Sequence, residues 1–334
     1  MRPLKLAVVG AGRMGQLYAR IAAELPQTEL AAVCGRSEAP VDALASRWGV
    51  PGYAGGDYRE MLDEHAGIDA IVVATPEWLH VEPALAAIGA GKHLLLEKPM
   101  ATSVADAARI LAAAEAAGIT LMICHQLRFD PRYALAREAV ERGEIGELLH
   151  VYARRNTTSL AAARVQGRIP LTCWISPHEL DLLLWIAGSR VVGVSACSRG
   201  DARRPDGYFL ATLRFATGVT AVFEQSWGAP PLGGRPRQAL LDLRGTAGTV
   251  EVTPQEQGLA IFTAGGAAYP SVMESPVVHG RVFGVFPALV GHFTECVSSE
   301  RPPLVGGREG LAAVAVAEAI ARALQSGREI ALEA

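Results

Sequence analysis

The stretch Leu4-Lys-Leu-Ala-Val-Val-Gly10-Ala-Gly12-Arg13-Met14-Gly15 constrains this chain more than any other. An apolar run, Leu4 to Val9, reads as a buried strand. It ends in a Gly-x-Gly-x-x-Gly turn, and a helical segment, Met14 to Leu25, follows. Strand, glycine turn and helix come in the order that a dinucleotide site requires. Gly10 permits the tight turn, Gly12 keeps no side chain between a pyrophosphate and the backbone, and Gly15 lets the helix pack close to the strand. The helix N-terminus then offers free N–H groups and a partial positive charge to phosphate.

The same alternation continues downstream. Leu30–Cys34, Asp69–Thr75, His93–Glu97 and Ile119–Cys124 read as strands. Between them lie helical stretches at Val41–Trp48, Asp57–Asp63, Val81–Ala90 and from Ser103 to Ala117, several closed by a glycine. Strands alternating with helices predict an α/β doubly wound parallel sheet, a Rossmann domain over residues 1–124. The pattern then changes. Pro131–Glu141 and Pro177–Ala187 read as helices, and Leu148–Arg155 opens a strand-rich half. Val191–Ser198, Tyr208–Phe215, Val219–Ser226, Ala239–Leu243 and Thr249–Val252 are closely spaced strands, which predicts a mainly antiparallel sheet in an α+β domain over residues 125–334. Ala288–Ser299 and Glu309–Gln325 close the chain as helices, and Ser159–Pro170 and Ala229–Arg237 read as surface loops.

Composition narrows the function classes. At 334 residues two domains are expected. The net charge of −3 with no basic stripe argues against a nucleic-acid partner. No apolar run reaches the length of a membrane span, and the N-terminal run is too short for a signal peptide. The five cysteines lack any CxxC pairing, which suggests reduced thiols in a cytoplasmic protein.

Three further stretches carry chemistry. The acid that would bind a ribose 2′-hydroxyl is missing after the second strand, where Gly35-Arg36-Ser37 stands. Arg36 and Ser37 suit a 2′-phosphate, which favours NADP(H) over NAD(H), although Arg36 stacked on an adenine would suit either. Glu97-Lys98-Pro99 lies at the carboxyl end of a strand, the edge where such sheets bind ligands. The Lys98 ammonium can donate to a substrate hydroxyl and lower its pKa. Trp174-Ile-Ser-Pro-His178-Glu-Leu-Asp181 opens a helix. A helix N-terminus disfavours a protonated His178 and suits a base, with Asp181 one turn on to orient it. Two such ligands without a third give no metal site.

With Ala74-Thr75-Pro76-x-x-x-His80, Arg128-Phe129-Asp130-Pro131 and Glu224-Gln-Ser226-Trp227, these motifs recur in an order that resembles the glucose–fructose oxidoreductase / inositol dehydrogenase / rhizopine-catabolism (Gfo/Idh/MocA) family over essentially the whole chain. The resemblance implies a Rossmann domain followed by an open-faced sheet domain, and a homodimer or homotetramer formed through that sheet. It implies NAD(P)-dependent oxidation of a sugar or polyol, or reduction of the keto-sugar. Lys98 would be the catalytic lysine, His178 the acid/base, and Asp181 their catalytic companion. Pro99 would follow a cis peptide bond. Arg13, Met14, Thr75, Pro76, His80, Glu97 and Lys98 would join Gly10, Gly12, Gly15, Gly35, Arg36 and Ser37 around the cofactor. Lys98, Arg128, Trp174 and His178 would meet the substrate, although Arg128 could equally stitch the domains together. Trp174 departs from the family, many of whose members have an aspartate there; an indole can stack on the apolar face of a sugar but cannot relay a proton. Two rival readings follow: a glycoside-cleaving enzyme that oxidises transiently and eliminates, and a cofactor-binding protein without turnover.

Overall fold

A computed structural model describes residues 2–163, 165, 168–199, 207–229, 237–253, 259–263 and 265–332. The chain divides into two compact units, 1–126 with 274–311, and 127–273 with 312–334. None of the helices searched is long and apolar enough to cross a membrane.

The first unit runs β1 (Leu4–Val9), α1 (Arg13–Glu24), β2 (Thr28–Cys34), α2 (Glu38–Trp48), β3 (Gly52–Tyr53), α3 (Tyr58–Glu64), β4 (Ala70–Val73), α4 (Val81–Gly89), β5 (His93–Leu96), α5 (Val104–Ala117) and β6 (Leu121–Ile123). The six strands form one parallel sheet in the order β3-β2-β1-β4-β5-β6, the doubly wound sheet expected from the sequence. Their apolar runs are buried on both faces: Leu6, Val8, Ile71, Val72, Leu94, Leu95 and Met122 are all within 1% of fully buried. Each Leu or Val so buried contributes about 1.5–3 kcal/mol, more than the ~1 kcal/mol of a helix cap, so the sheet rather than the caps sets the fold. The caps fix the ends. Ser103 Oγ accepts from the Asp106 N–H at 3.1 Å, and Gly118 closes α5 in the left-handed region at φ 65°.

Residues 274–311, grouped by the sequence reading with the second domain, lie in the first unit. Here the Val282 N–H donates to Glu24 at 2.8 Å, and Phe286 meets the Tyr18 ring edge-on with centroids 6.0 Å apart. These partners are far apart in sequence, and no local pattern marks them.

The second unit contains α6 (Pro131–Glu141), β7 (Leu148–Thr158), α7 (Ser159–Ala163), α8 (Leu171–Trp174), α9 (Ser176–Ala187), β8 (Val191–Cys197), β9 (Tyr208–Phe215), β10 (Thr220–Ala229), β11 (Arg237–Gly245), β12 (Thr249–Val252) and the hairpin β13 (Ile261–Thr263)–β14 (Gly266–Ala268). The first unit adds a short pair, β15 (Val277–Val278) and β16 (Arg281–Val282), then α10 (Val285–Ser299) and the start of α11 (Gly307–Ser326). The chain ends at β17 (Ile330–Ala331). The large sheet has the order β12-β11-β7-β10-β9-β8-β17. It is antiparallel except where β10 runs parallel to β7, from Thr220 opposite His150 to Ser226 opposite Asn156. Strand alternation is strict: Phe209, Ala211, Leu213 and Phe215 point into a core shared with Leu180, Leu183, Ile186 and Ile320, while Tyr208 and Leu210 stand exposed. The predicted loop Ser159–Pro170 begins as helix α7, with Arg164, Gln166 and Gly167 outside the described residues. Most of the predicted loop Ala229–Arg237 lies outside them too.

Candidate functional site

In the first unit the motif residues gather at one edge of the parallel sheet, because each follows the carboxyl end of a strand: Gly10–Gly15 after β1, Gly35–Ser37 after β2, Thr75–His80 after β4 and Glu97–Pro99 after β5. The strand order reverses at β1, and ligands bind such sheets at that switch point. The glycines are explained by contact. Gly10 has φ 121°, and a Cβ there would lie 2.4 Å from the Ala74 carbonyl oxygen. A Cβ on Gly15 would fall 1.5 Å from the Gly10 oxygen, so α1 cannot approach β1 with any side chain present. Gly12 is different: a Cβ there would meet nothing within 4 Å. Gly12 is the N-cap of α1, no side chain caps that end, and no acid occupies its first turn. Arg13 is exposed and Met14 half-buried beside it. An uncapped helix N-terminus beside an open glycine fits a pyrophosphate.

At the end of β2, Gly35 has no room for a side chain. Its Cβ would stand 2.9 Å from Ala11 Cβ and 3.0 Å from Val41 Cγ2. Arg36 and Ser37 are exposed. Ser37 is the N-cap of α2, yet its hydroxyl caps no helix N–H.

The turn after β5 is gripped from within. The Lys98–Pro99 bond is cis. Glu97 is buried; one oxygen accepts from the Tyr18 hydroxyl at 2.7 Å and the other from the Lys98 N–H at 2.9 Å. Burial pushes the Glu97 carboxyl above the usual carboxylate range, against the pull of Lys98 and Tyr18. It pushes the Tyr18 hydroxyl well up too. Lys98 itself is half-buried. His80 is fully buried, with Nδ1 2.8 Å from the Pro99 oxygen and Nε2 3.0 Å from the Thr75 oxygen. Glu97 and His80, expected around the cofactor, are both buried, with their polar atoms on the Tyr18 hydroxyl, the Lys98 N–H and two backbone carbonyls. Thr75 donates to the Leu79 carbonyl at 3.0 Å, and Pro76 beside it is exposed.

In the second unit His178 lies in the first turn of α9, which Pro177 opens. It is half-buried, while Asp181 one turn on is wholly buried. Asp181 accepts from Arg128 through both oxygens, Nε to Oδ2 at 2.9 Å and Nη2 to Oδ1 at 2.6 Å. The guanidinium also lies over the Trp185 ring, 5.3 Å from its centre. Arg128, read from the sequence as a substrate contact or equally as a stitch, has its fork closed by a carboxylate and its face by an indole, and its side chain is 5% exposed. The carboxylate expected to steady His178 is thus a core ion pair that ties α9 to the segment before α6. A second buried pair, Arg155 with Glu179, ties α9 to β7. Trp174, at the end of α8, is half-buried with its ring 6.0 Å from that of Trp227. The strand pleat splits the Glu224-Gln-Ser226-Trp227 motif: Gln225 accepts from the Ser176 hydroxyl and Trp227 packs inward, while Glu224 takes Tyr152 and Asn156 on the other face.

Sequence reasoning assigned no role of their own to Tyr18, Arg155, Glu179 and Gln225. The available signal was chemical: a tyrosine on the buried face of an amphipathic helix needs a partner for its hydroxyl.

The N-terminal stretch, residues 4–125, matches the family model described as oxidoreductase family, NAD-binding Rossmann fold. Residues 137–332 match that family's C-terminal alpha/beta domain. Inositol 2-dehydrogenase 1 of Saccharopolyspora erythraea is 30% identical over 342 residues, covering 99% of this chain and 96% of that protein. The scyllo-inositol 2-dehydrogenase (NAD(+)) of Bacillus subtilis is 24% identical over 99% of this chain and 96% of its own length. The crystal structure of aldose-aldose oxidoreductase from Caulobacter crescentus, complexed with glycerol, superposes with a TM-score of 0.82 at 27% identity, over 99% of this chain and all of that one. With both halves matched in order, the chain belongs to the Gfo/Idh/MocA oxidoreductase family.

Proposed function

We propose that this chain is an NAD(P)-dependent dehydrogenase acting on the CH–OH group of a polyol or sugar, or on the matching keto-sugar in reverse. The observation that carries the reading is the single edge at which an uncapped helix N-terminus, an open Gly12 and the fixed Lys98 turn all lie. The relatives named inositol 2-dehydrogenase point to the substrate class. Gly10, Gly12, Arg13, Met14 and Gly15 would hold the pyrophosphate end. Bound there, the nicotinamide supplies a hydride acceptor or donor. Lys98 donates to the substrate oxygen and stabilises the charge that develops on it. His178, in the first turn of α9, takes the hydroxyl proton. Asp181 acts through Arg128 on the helix that carries His178. Trp174 offers an indole face to the sugar. Assembly through the exposed face of the second unit's sheet, and a cytoplasmic location, belong to the same reading.

A panel of inositols, aldoses and keto-sugars with NAD and NADP tests it. Absorbance of the reduced nicotinamide should grow with at least one polyol. Cleaved glycoside without net absorbance would support transient oxidation and elimination instead. Cofactor binding with neither would support a protein without turnover.

The cofactor preferred is NADP(H). Arg36 and the uncommitted Ser37 hydroxyl at the start of α2 form a phosphate grip, and no acid stands at position 35 to repel it. An acid cannot simply be grafted there, because the Gly35 Cβ would press on Ala11 and Val41. The charge change therefore belongs at the next residue. Losing a charge-assisted hydrogen bond costs about 1.5–3 kcal/mol, so Arg36→Asp should raise the KM for NADP about ten- to a hundredfold and leave that for NAD nearly in place. Unchanged KM values for both would remove the phosphate grip.

A further inference from the structure

His80 precedes α4 and is fully buried, yet it touches no other side chain by hydrogen bond among the contacts described: its ring lies between two backbone carbonyls from different loops. A neutral imidazole has one N–H, so one carbonyl accepts from it at a time. Burial lowers the His80 pKa from its ordinary value, outweighing the two carbonyls and Glu77, which favour the cation; Lys98 adds to the effect of burial. The Pro99 oxygen, 2.8 Å from Nδ1, is the nearer of the two acceptors. From the other side, Glu97 accepts the Lys98 N–H at 2.9 Å and is itself held by Tyr18 at 2.7 Å. The backbone on either side of the Lys98 side chain is therefore tied to buried groups: the N–H before it by Glu97, and the carbonyl after it by His80.

We propose that His80 is a positioning residue for Lys98: its Nδ1–H, given to the Pro99 carbonyl, fixes the turn that directs the Lys98 ammonium. The inference rests on the catalytic reading of Lys98 above. A histidine suits the place because it combines a large apolar ring, which a fully buried site tolerates, with a donor at the reach of Nδ1. A buried carbonyl deprived of its donor is destabilised, and the turn would shift to find one.

Asn carries its amide nitrogen at about the reach of Nδ1 and Gln at about that of Nε2. His80→Asn, His80→Gln and His80→Phe therefore separate the donor from the volume. Two readouts are needed on the folded protein. The first is the pH at which Lys98 becomes half-reactive toward acetic anhydride, followed by peptide mass spectrometry. The second is kcat and KM on the best polyol. His80→Asn should keep the half-reaction pH close to wild type and kcat within about threefold, whereas His80→Gln should move the Lys98 titration by about one unit. It should also lower kcat about ten- to a hundredfold, the effect of a misplaced group, with KM little altered. His80→Phe should follow Gln. Wild-type Lys98 titration in all three, or equal shifts in Asn and Gln, would reduce His80 to a space filler. Rescue by Gln but not Asn would put the donated bond on Thr75 and overturn the link to Lys98. The acetylation profile needs no turnover, so it still decides the role of His80 if no polyol proves to be a substrate.

Discussion

Lys98→Met should lower kcat about a hundred- to a thousandfold, the loss seen when one preorganised donor to a developing oxyanion is removed. The dissociation constant for the dinucleotide should move far less. The physical case is the rigidity of the turn. Glu97 is held by Tyr18 and accepts the Lys98 N–H, and the Pro99 carbonyl faces His80, so the backbone that carries the ammonium has no slack. A donor that needs no reorganisation at the moment of reaction is worth more than a mobile surface lysine. Methionine is one atom shorter than lysine but keeps an unbranched apolar stem while removing the charge, so packing around the half-buried stem should survive. Steady-state rates with the best polyol give kcat, and quenching of protein fluorescence by the reduced dinucleotide gives its affinity. A variant that retained kcat within tenfold would take Lys98 out of the chemistry. One that lost cofactor binding in step with kcat would make it a cofactor ligand instead.

The parts of this site that local pattern determines were legible. The strand–glycine–helix order of residues 4–15 announces itself because Gly10 and Gly15 each answer a contact made within a few residues or across one strand pair. The parallel order of the first sheet follows from alternation, since a parallel pair needs a crossover helix. What depends on distant partners was not legible. The parallel pairing of β7 with β10 joins strands whose own alternation looks antiparallel. The return of residues 274–311 to the first unit rests on Phe286 against Tyr18 and on Glu24 receiving Val282. The roles of polar motif residues were the hardest to read. Arg128, Asp181, Glu97 and His80 all stand in recognisable motifs, and charge next to a sheet edge reads as ligand contact. Burial adds a demand that the motif does not show, because a charged or polar group withdrawn from water must find its partner inside the protein.

Arg128 and Asp181 should show this in stability. Asp181→Leu leaves the Arg128 guanidinium buried without its carboxylate, and Arg128→Met leaves the carboxylate alone; each should cost about 3–5 kcal/mol. The double variant, Arg128→Met with Asp181→Leu, removes both charges together and should return to within about 1–2 kcal/mol of wild type, since a buried ion pair gains little over apolar packing of similar volume. Loss of the contact between the guanidinium and Trp185, at 5.3 Å, takes back a part of that recovery. Three of the five tryptophans, Trp174, Trp185 and Trp227, lie in this unit, so urea titration followed by tryptophan fluorescence reports its unfolding. The coupling energy from the cycle should exceed the cost of either single change. The same variants separate two roles for Asp181. If it acts by holding α9, the refolded double variant keeps His178 in its helical turn and turns over within about tenfold of wild type. If it acts on the proton of His178, the double variant is stable but loses about a hundredfold or more in kcat, as removal of a working acid–base partner does. Both Asp181 oxygens accept from Arg128 at 2.6 and 2.9 Å, which favours the first result.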